Sequence, residues 1–192
     1  MLKLTASYTD LYQLSMAQVY YQTGRKNETA VFDYFFRKLP FNGGYAVFCG
    51  LENLLDILED FKFSNDDLDF LSKNGFSDAF VAYLRDFKFS GKVYSCQEGD
   101  LVFPTRPILQ LEAPLIEAQI VETLLLNILN FQTLIATKAA RMAIQAKGRT
   151  LIDFGLRRAQ GFGGYHASRA AVIGGFEATS NTRAGRDFGF PV

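Results

Sequence analysis

The sequence predicts an α/β protein, with an N-terminal α/β domain followed by the first units of an irregular α/β barrel or sheet. Three observations predict it. Runs of β-branched and aromatic residues at 29–36 and 150–153 read as strands. Apolar residues recur at three- or four-residue spacing in helical stretches from Leu11 to Tyr20, from Leu51 to Leu84 and from Ile116 to Met142. After Gly148, strand, loop and helix follow in succession, the order that opens a parallel sheet.

Taken in order, Thr9 and Asp10 are candidate caps for a first helix carrying Leu11, Leu14, Met16, Val19 and Tyr20 and ending near Gly24. Thr29–Phe36 reads as a strand, Lys38–Gly44 as a turn, and Tyr45–Phe48 as a second short strand. Three helices are expected across 50–87: one on Leu51, Leu54, Leu55 and Leu58, and two more in which Ser64 and Ser77 precede acid-rich first turns and apolar stripes. A small β region covers 91–113, with strands at Val93–Ser95, Leu101–Phe103 and Ile108–Leu111 separated by Gly99-Asp100 and Pro104–Pro107. Pro114 is expected to open a long central helix that Gly148 stops. Thr150–Asp153 then reads as a strand, Phe154–Gly163 as a loop, Gly164–Ile173 as a helix, and a further helix starts near Ser180 after a short extended piece. The expected division is an N-terminal α/β domain at 1–114, with the connecting helix and the start of a barrel at 115–192.

Composition excludes several classes. With 192 residues, 48% hydrophobic, 21% charged and only 5 prolines, the chain is a folded globular protein and not a disordered tail. Its longest charge-free stretch, Thr123–Thr137, contains Asn127, Asn130 and Gln132 and is shorter than the ~20 apolar residues of a membrane span, so none is expected. Met1–Thr5 has no secretory pattern. Cys49 and Cys96 stand far apart with no histidine cluster, which argues against a disulfide framework or a zinc site and for a reducing, cytoplasmic setting.

Net charge is zero but uneven. From Lys138 onward, Lys138, Arg141, Lys147, Arg149, Arg157, Arg158, Arg169, Arg183 and Arg186 face only Asp153, Glu177 and Asp187, a balance of +6, leaving −6 for residues 1–137. An anion-binding surface is therefore expected in the C-terminal part. The basic residues have no interleaved aromatic platform, so nucleic acid is not the expected partner.

In parallel α/β folds ligands bind at the carboxyl ends of strands. Asp153-Phe154-Gly155-Leu156-Arg157-Arg158-Ala159-Gln160-Gly161 falls at such a place. Arg157 and Arg158 beside glycines suit a phosphate or carboxylate, because a guanidinium is a rigid fork of donors and a glycine loop entering a helix presents free amides. The alternative is that they are solvated or paired with Asp153. In Glu177–Asn181, Thr179 or Ser180 either caps a helix or helps to hold a phosphate. His166, the single histidine, is either a general base or a helical residue without chemistry. Tyr12 either stacks on a flat ligand or is structural. Neither a Walker-type nor a Gly-x-Gly-x-x-Gly motif occurs.

Thr9-Asp10-Leu11-Tyr12-Gln13-Leu14-Ser15-Met16, Phe36-Arg37-Lys38-Leu39-Pro40, Gly43-Gly44-Tyr45, the Asp153–Gly161 block, and Gly174-Gly175-Phe176 with Thr179-Ser180-Asn181 together resemble nicotinate phosphoribosyltransferase, in order over the whole chain. The Asp-Phe-Gly-Leu-Arg-Arg-Ala-Gln and Thr-Asp-Leu-Tyr-Gln blocks separate it from the related nicotinamide and quinolinate enzymes. The resemblance implies a type II phosphoribosyltransferase-like fold and a homodimer with shared sites. It also implies the conversion of nicotinate and phosphoribosyl pyrophosphate to nicotinate mononucleotide in NAD salvage, with ATP as co-substrate and magnesium as cofactor. By the same resemblance Tyr12 reaches the partner subunit's site and stacks on the pyridine ring, with Phe154 on its other face. Arg157 and Arg158 hold phosphate or carboxylate groups, and Thr179 and Ser180 lie near the ribose phosphate. Pyrophosphate departs as positive charge develops at ribose C1, with magnesium and arginines neutralising the leaving group. The family's phosphorylated histidine belongs to a Gly-Thr-x-Ala-His segment expected just after Pro191-Val192. The chain is thus expected to be the N-terminal part of a longer enzyme and inactive alone, the alternative being a non-catalytic remnant that dimerises or binds a phosphorylated ligand.

Overall fold

The computed structural model describes residues 4–192; Met1–Lys3, the start of the segment expected to carry no secretory signal, lie outside the described residues. In chain order the elements are α1 (Leu11–Gln22), β1 (Thr29–Tyr34), β2 (Ala46–Val47), α2 (Leu51–Glu59), α3 (Asn65–Lys73), α4 (Asp78–Arg85), β3 (Lys92–Ser95), β4 (Leu101–Val102), β5 (Leu109–Pro114), α5 (Leu115–Ala146), β6 (Ile152–Asp153), α6 (Phe162–Ile173), β7 (Ala178–Thr179) and α7 (Thr182–Phe188). Two compact units emerge, one built from residues up to Tyr34, Glu52–Ser95 and Leu109–Asn127, the other from Phe35–Leu51, Cys96–Ile108 and Ile128–Val192. They interleave along the chain, whereas the sequence-based division has one boundary after residue 114.

In the first unit β5 is the middle strand of an antiparallel sheet ordered β1-β5-β3, with Thr29 opposite Pro114 and Lys92 opposite Glu112. Leu109, Leu111 and Ala113 of β5 are buried while Gln110 is exposed, the two-residue alternation of a strand with one covered face. The three helices expected across 50–87 form. Their apolar stripes bury Leu54, Leu58, Leu68, Leu71, Phe80, Val81 and Leu84, each side chain of this size contributing roughly 1.5–3 kcal/mol relative to exposure. Phe61 and Phe63 meet Phe87 edge-on. Ser64, which precedes the acid-rich first turn, caps α3 in a reciprocal box with Asp67: the Ser64 hydroxyl accepts the Asp67 N–H, and the Asp67 carboxylate accepts the Ser64 N–H at 2.7 Å. Burial opposes ionisation of Asp67, but hydrogen bonds from Ser7 and Ser64 outweigh it and hold the carboxyl below its usual range. Ser77 makes no side-chain cap; its N–H instead donates to Gln18 Oε1 at 2.8 Å.

α1 forms where expected but departs from the expected caps and face. Asp10 makes no side-chain cap; its carboxylate accepts the Thr123 hydroxyl at 2.8 Å, and Thr9 donates to the Ile120 carbonyl, so both residues fasten the helix start to α5. The buried side is Gln13, Leu14 and Ala17, while Leu11, Met16 and Val19 are exposed. The inward amide of Gln13 is matched by Gln119 and by Glu122, which is how a polar residue occupies a core position.

In the second unit β2 pairs with β4 antiparallel. Two threonines of α5 receive the segment that contains β2: the Val47 N–H donates to Thr137 Oγ1 at 2.9 Å and the Cys49 N–H to Thr133 Oγ1 at 3.1 Å. Packing here uses small residues, with Val47, Cys49, Ala136 and Ala170 buried together. A Cβ on Gly174, at the end of α6, would lie 2.4 Å from the Ala136 carbonyl oxygen, so glycine is what permits α6 to end against α5. β6 and α6 form as the expected strand and helix, and the short extended piece after them is β7, parallel to β6 with Asp153 opposite Thr179.

Pro114 is the last residue of β5 and not the first of a helix. The next N–H, from Leu115, donates to the Glu28 carbonyl at 2.8 Å. α5 then runs for 32 residues. By length and composition it could cross a membrane, but 56% of its most apolar window is buried inside the protein, as in a core helix. Cys49 and Cys96 are free thiols, and burial next to Glu98 pushes the Cys49 thiol up to about 12, which leaves it without thiolate reactivity.

Candidate functional site

The parallel strands end where the Asp153–Gly161 segment begins. Gly155 to Arg158 fold into a tight turn closed by the Arg158 N–H donating to the Gly155 carbonyl at 2.8 Å, with Leu156–Arg158 in a 3-10 turn. Gly161 has φ +52°, a left-handed value that favours glycine, and it turns the chain into α6. α6 starts at Phe162, two residues before its expected start.

A cavity of about 570 Å³ lies against this turn. α5 supplies Phe131, Ile135, Lys138 and Met142; the turn supplies Asp153, Gly155, Arg158 and Gln160; Gly163, Ala167 and Phe176 complete the wall. Its lining combines apolar and aromatic residues with the cationic Lys138 and Arg158. Arg157 and Arg158 are both exposed, and among the described residues neither makes an ion pair. The pairing with Asp153 left open by the sequence does not form: the Asp153 carboxylate accepts the Gly155 N–H at 2.7 Å, the Ser168 hydroxyl at 2.7 Å and the Thr179 hydroxyl at 3.0 Å.

Of the other predicted residues, Phe154 projects into solvent at 74% exposure. Thr179 is fully buried. Ser180 is exposed, and its N–H donates to the Asp153 carbonyl at 2.8 Å. Neither Thr179 nor Ser180 caps α7: the cap is Asn181, whose side chain accepts the Ala184 N–H. Tyr12 belongs to the first unit and is 53% exposed. His166 lies on α6 beside Tyr165 and Phe162, with Nδ1 buried and without a hydrogen-bond partner among the described residues. Burial, and then the positive charge of Arg169, push its pKa below that of an ordinary imidazole.

Two features escaped sequence reasoning. Glu98 and Arg169 form a buried bidentate pair at 2.9 and 2.6 Å, with Glu98 also accepting the Gly50 and Leu51 N–H groups at the start of α2. Lys138 and Arg141 also line a second cavity of about 480 Å³ with Gly43, Gly44 and Tyr45. Arg141 donates to the Phe41 carbonyl at 2.7 Å, and Lys138 sits over the Phe41 ring. Their three-residue spacing on a helix put them on one face in the sequence; Glu98 and Arg169 left no such signal.

The chain resembles known proteins over nearly all its length. It is 51% identical over 187 residues to nicotinate phosphoribosyltransferase from Bacillus subtilis, covering 96% of this chain and 38% of that protein. It is 44% identical to nicotinate phosphoribosyltransferase 2 of Arabidopsis thaliana, covering 98% and 35%. The crystal structure of human nicotinic acid phosphoribosyltransferase matches with a TM-score of 0.90 and 39% identity, over 96% of this chain and 38% of that one. The chain thus spans less than two-fifths of these relatives. The family model described as nicotinate phosphoribosyltransferase (NAPRTase) N-terminal domain matches residues 8–130, and the chain belongs to that family.

Proposed function

We propose that this chain is the N-terminal, ligand-engaging part of a nicotinate phosphoribosyltransferase acting in NAD salvage. Nicotinate and phosphoribosyl pyrophosphate are the substrates, and nicotinate mononucleotide and pyrophosphate the products. The observation that carries the reading is the cavity at the end of β6, which Phe131, Phe176 and Arg158 line together. Such a site holds a planar ring by stacking and its carboxylate or phosphate by charge. The work of the residues is placement: holding the ring nitrogen in line with ribose C1 and setting cations where negative charge collects as pyrophosphate departs.

Magnesium enters this proposal as the companion of the pyrophosphate and not as a resident ion. Among the described residues no three His, Cys, Asp or Glu side chains converge as metal ligands, and the Asp153 oxygens already accept three hydrogen bonds. Coupling to ATP is part of the same proposal, and His166 is poorly suited to carry it, since its ring is half-buried on α6 with Nδ1 enclosed. Tyr12 working in a partner's site within a homodimer is supported by the exposed face of α1, where Leu11, Tyr12, Met16 and Val19 lie uncovered. Free Cys49 and Cys96 accord with a cytoplasmic setting.

Calorimetric titration of the chain with nicotinate mononucleotide tests the reading. The wild type binds, and Arg157→Ala and Arg158→Ala each lose roughly 1.5–3 kcal/mol, the scale of a charged hydrogen bond. Melting temperature stays the same, because both side chains are exposed. A wild type that does not bind, or two variants that bind as wild type does, would refute it.

A further inference from the structure

We infer that Asp153 is a positioning residue: through Ser168 and Thr179 it locks the Gly155–Arg158 turn to α6 and to the entry of α7, so that the turn presents Arg158 to an anionic ligand in a fixed register. The inference rests on the proposed function for the identity of the ligand, but the geometry that carries it does not.

Asp153 is joined to both segments by side chain and by backbone. Its Oδ1 accepts the Gly155 N–H at 2.7 Å, and a Cβ on Gly155 would stand only 2.9 Å from that oxygen, so the turn closes onto the carboxylate. Its Oδ2 accepts the hydroxyls of Ser168 on α6, at 2.7 Å, and of Thr179 on β7, at 3.0 Å. Its own carbonyl accepts the Ser180 N–H. The chain of bonds continues: the Asn181 N–H donates to Thr179 Oγ1 at 3.0 Å, the Asn181 side-chain amide donates to Ser168 Oγ at 3.3 Å, and Asn181 Oδ1 caps α7. Ser168, Thr179 and Asn181 are all buried, so water does not replace any of these bonds.

The charge logic argues for positioning over packing alone. A carboxylate next to an anion site repels the ligand, or neutralises the arginines meant for it, unless its charge is absorbed elsewhere. Three donors absorb that of Asp153, and Arg157 and Arg158 stay free of it. Holding ligand-contacting groups through such bonds is worth a large factor in affinity, because small displacements of a binding group are costly.

The test uses the whole chain and two readouts: amide hydrogen exchange at Gly155 and Arg158, and affinity for nicotinate mononucleotide, both at a temperature where melting curves show every variant folded. Thr179→Val keeps the shape and removes the hydroxyl; Thr179→Ser keeps the hydroxyl. With Thr179→Val, exchange at both amides accelerates and binding weakens by about tenfold or more, while Thr179→Ser stays near wild type in both. Asp153→Asn moves in the direction of Thr179→Val, and if it fails to fold the threonine pair decides alone. Unchanged exchange in Thr179→Val overturns the inference, and so does a weakening by Thr179→Ser as large as that by Thr179→Val, because the retained hydroxyl then does not hold the turn. A wild type that does not bind the mononucleotide overturns the proposed function, and exchange then judges the positioning role by itself.

Discussion

Replacing Arg169 by leucine removes one member of a pair that solvent hardly reaches, the side chains of Arg169 and Glu98 being only 10% and 15% exposed. Arg169→Leu leaves the Glu98 carboxylate with the Gly50 and Leu51 N–H groups but without its two bonds to the guanidinium at 2.9 and 2.6 Å. Removing one partner of a buried pair costs about 3–5 kcal/mol, because the remaining charge is neither solvated nor matched. At about 2–4 °C per kcal/mol for a chain of this size, the melting temperature falls by roughly 6–20 °C. Arg25 and Glu28 supply the control: their side chains are 51% and 53% exposed, and Arg25→Ala leaves the melting temperature nearly unchanged, because water screens the pair. The loss also depends on pH. Burial alone would raise the Glu98 pKa, but the hydrogen bonds from Arg169 and Gly50 outweigh it and hold the pKa below its ordinary 4.5. A carboxyl with a depressed folded-state pKa contributes stability that is fully present above its unfolded value and is lost as pH falls through the folded value. In Arg169→Leu burial is opposed only by the Gly50 and Leu51 N–H groups, so the Glu98 pKa rises and less stability is lost as pH falls. Thermal melts from neutral pH to well below 4.5 therefore show the gap between wild type and variant narrowing with acid. A loss below about 1 kcal/mol, or a gap that does not change with pH, would refute the reasoning.

Gly174→Ala places a Cβ 2.4 Å from the Ala136 carbonyl oxygen and 2.5 Å from the Ala139 Cβ; overpacking of this kind costs about 1–3 kcal/mol or more, and an unchanged melting temperature would show that α6 does not end so close to α5. His166, half-buried beside Arg169, titrates below the ordinary 6.5 of a free imidazole; NMR of its ring protons measures this, and a midpoint at or above 6.5 contradicts the burial. Since its folded-state pKa is depressed, the unfolded chain takes up the proton first, so the His166 contribution to stability is intact above 6.5 and declines as pH falls below it.

What the sequence determined by itself was local. The stripes of α3 and α4, the Ser64–Asp67 box, the alternation along β5 and the strand–loop–helix order that places Arg157 and Arg158 at a strand end are all written within a few residues. Helix and strand periods follow from backbone geometry, and a cap needs only a neighbour three positions on. Tertiary structure decided which face is inside and which charges are matched. The apolar residues of α1 suggested a buried stripe, yet Leu11, Met16 and Val19 are exposed and Gln13 is buried with Leu14 and Ala17, because Gln119, 106 positions away, donates to its amide oxygen. Thr9 and Asp10 have the composition of a cap and serve as ties to α5. Among Thr179, Ser180 and Asn181, all capable of capping, only the path of β7 selects Asn181. Asp153 had arginines four and five positions along the chain and bonded instead to Ser168 and Thr179, 15 and 26 positions away; Glu98 found Arg169 across 71 positions. Burying a polar or charged group is unfavourable until a partner meets it, and a partner distant in sequence is brought near only by the fold.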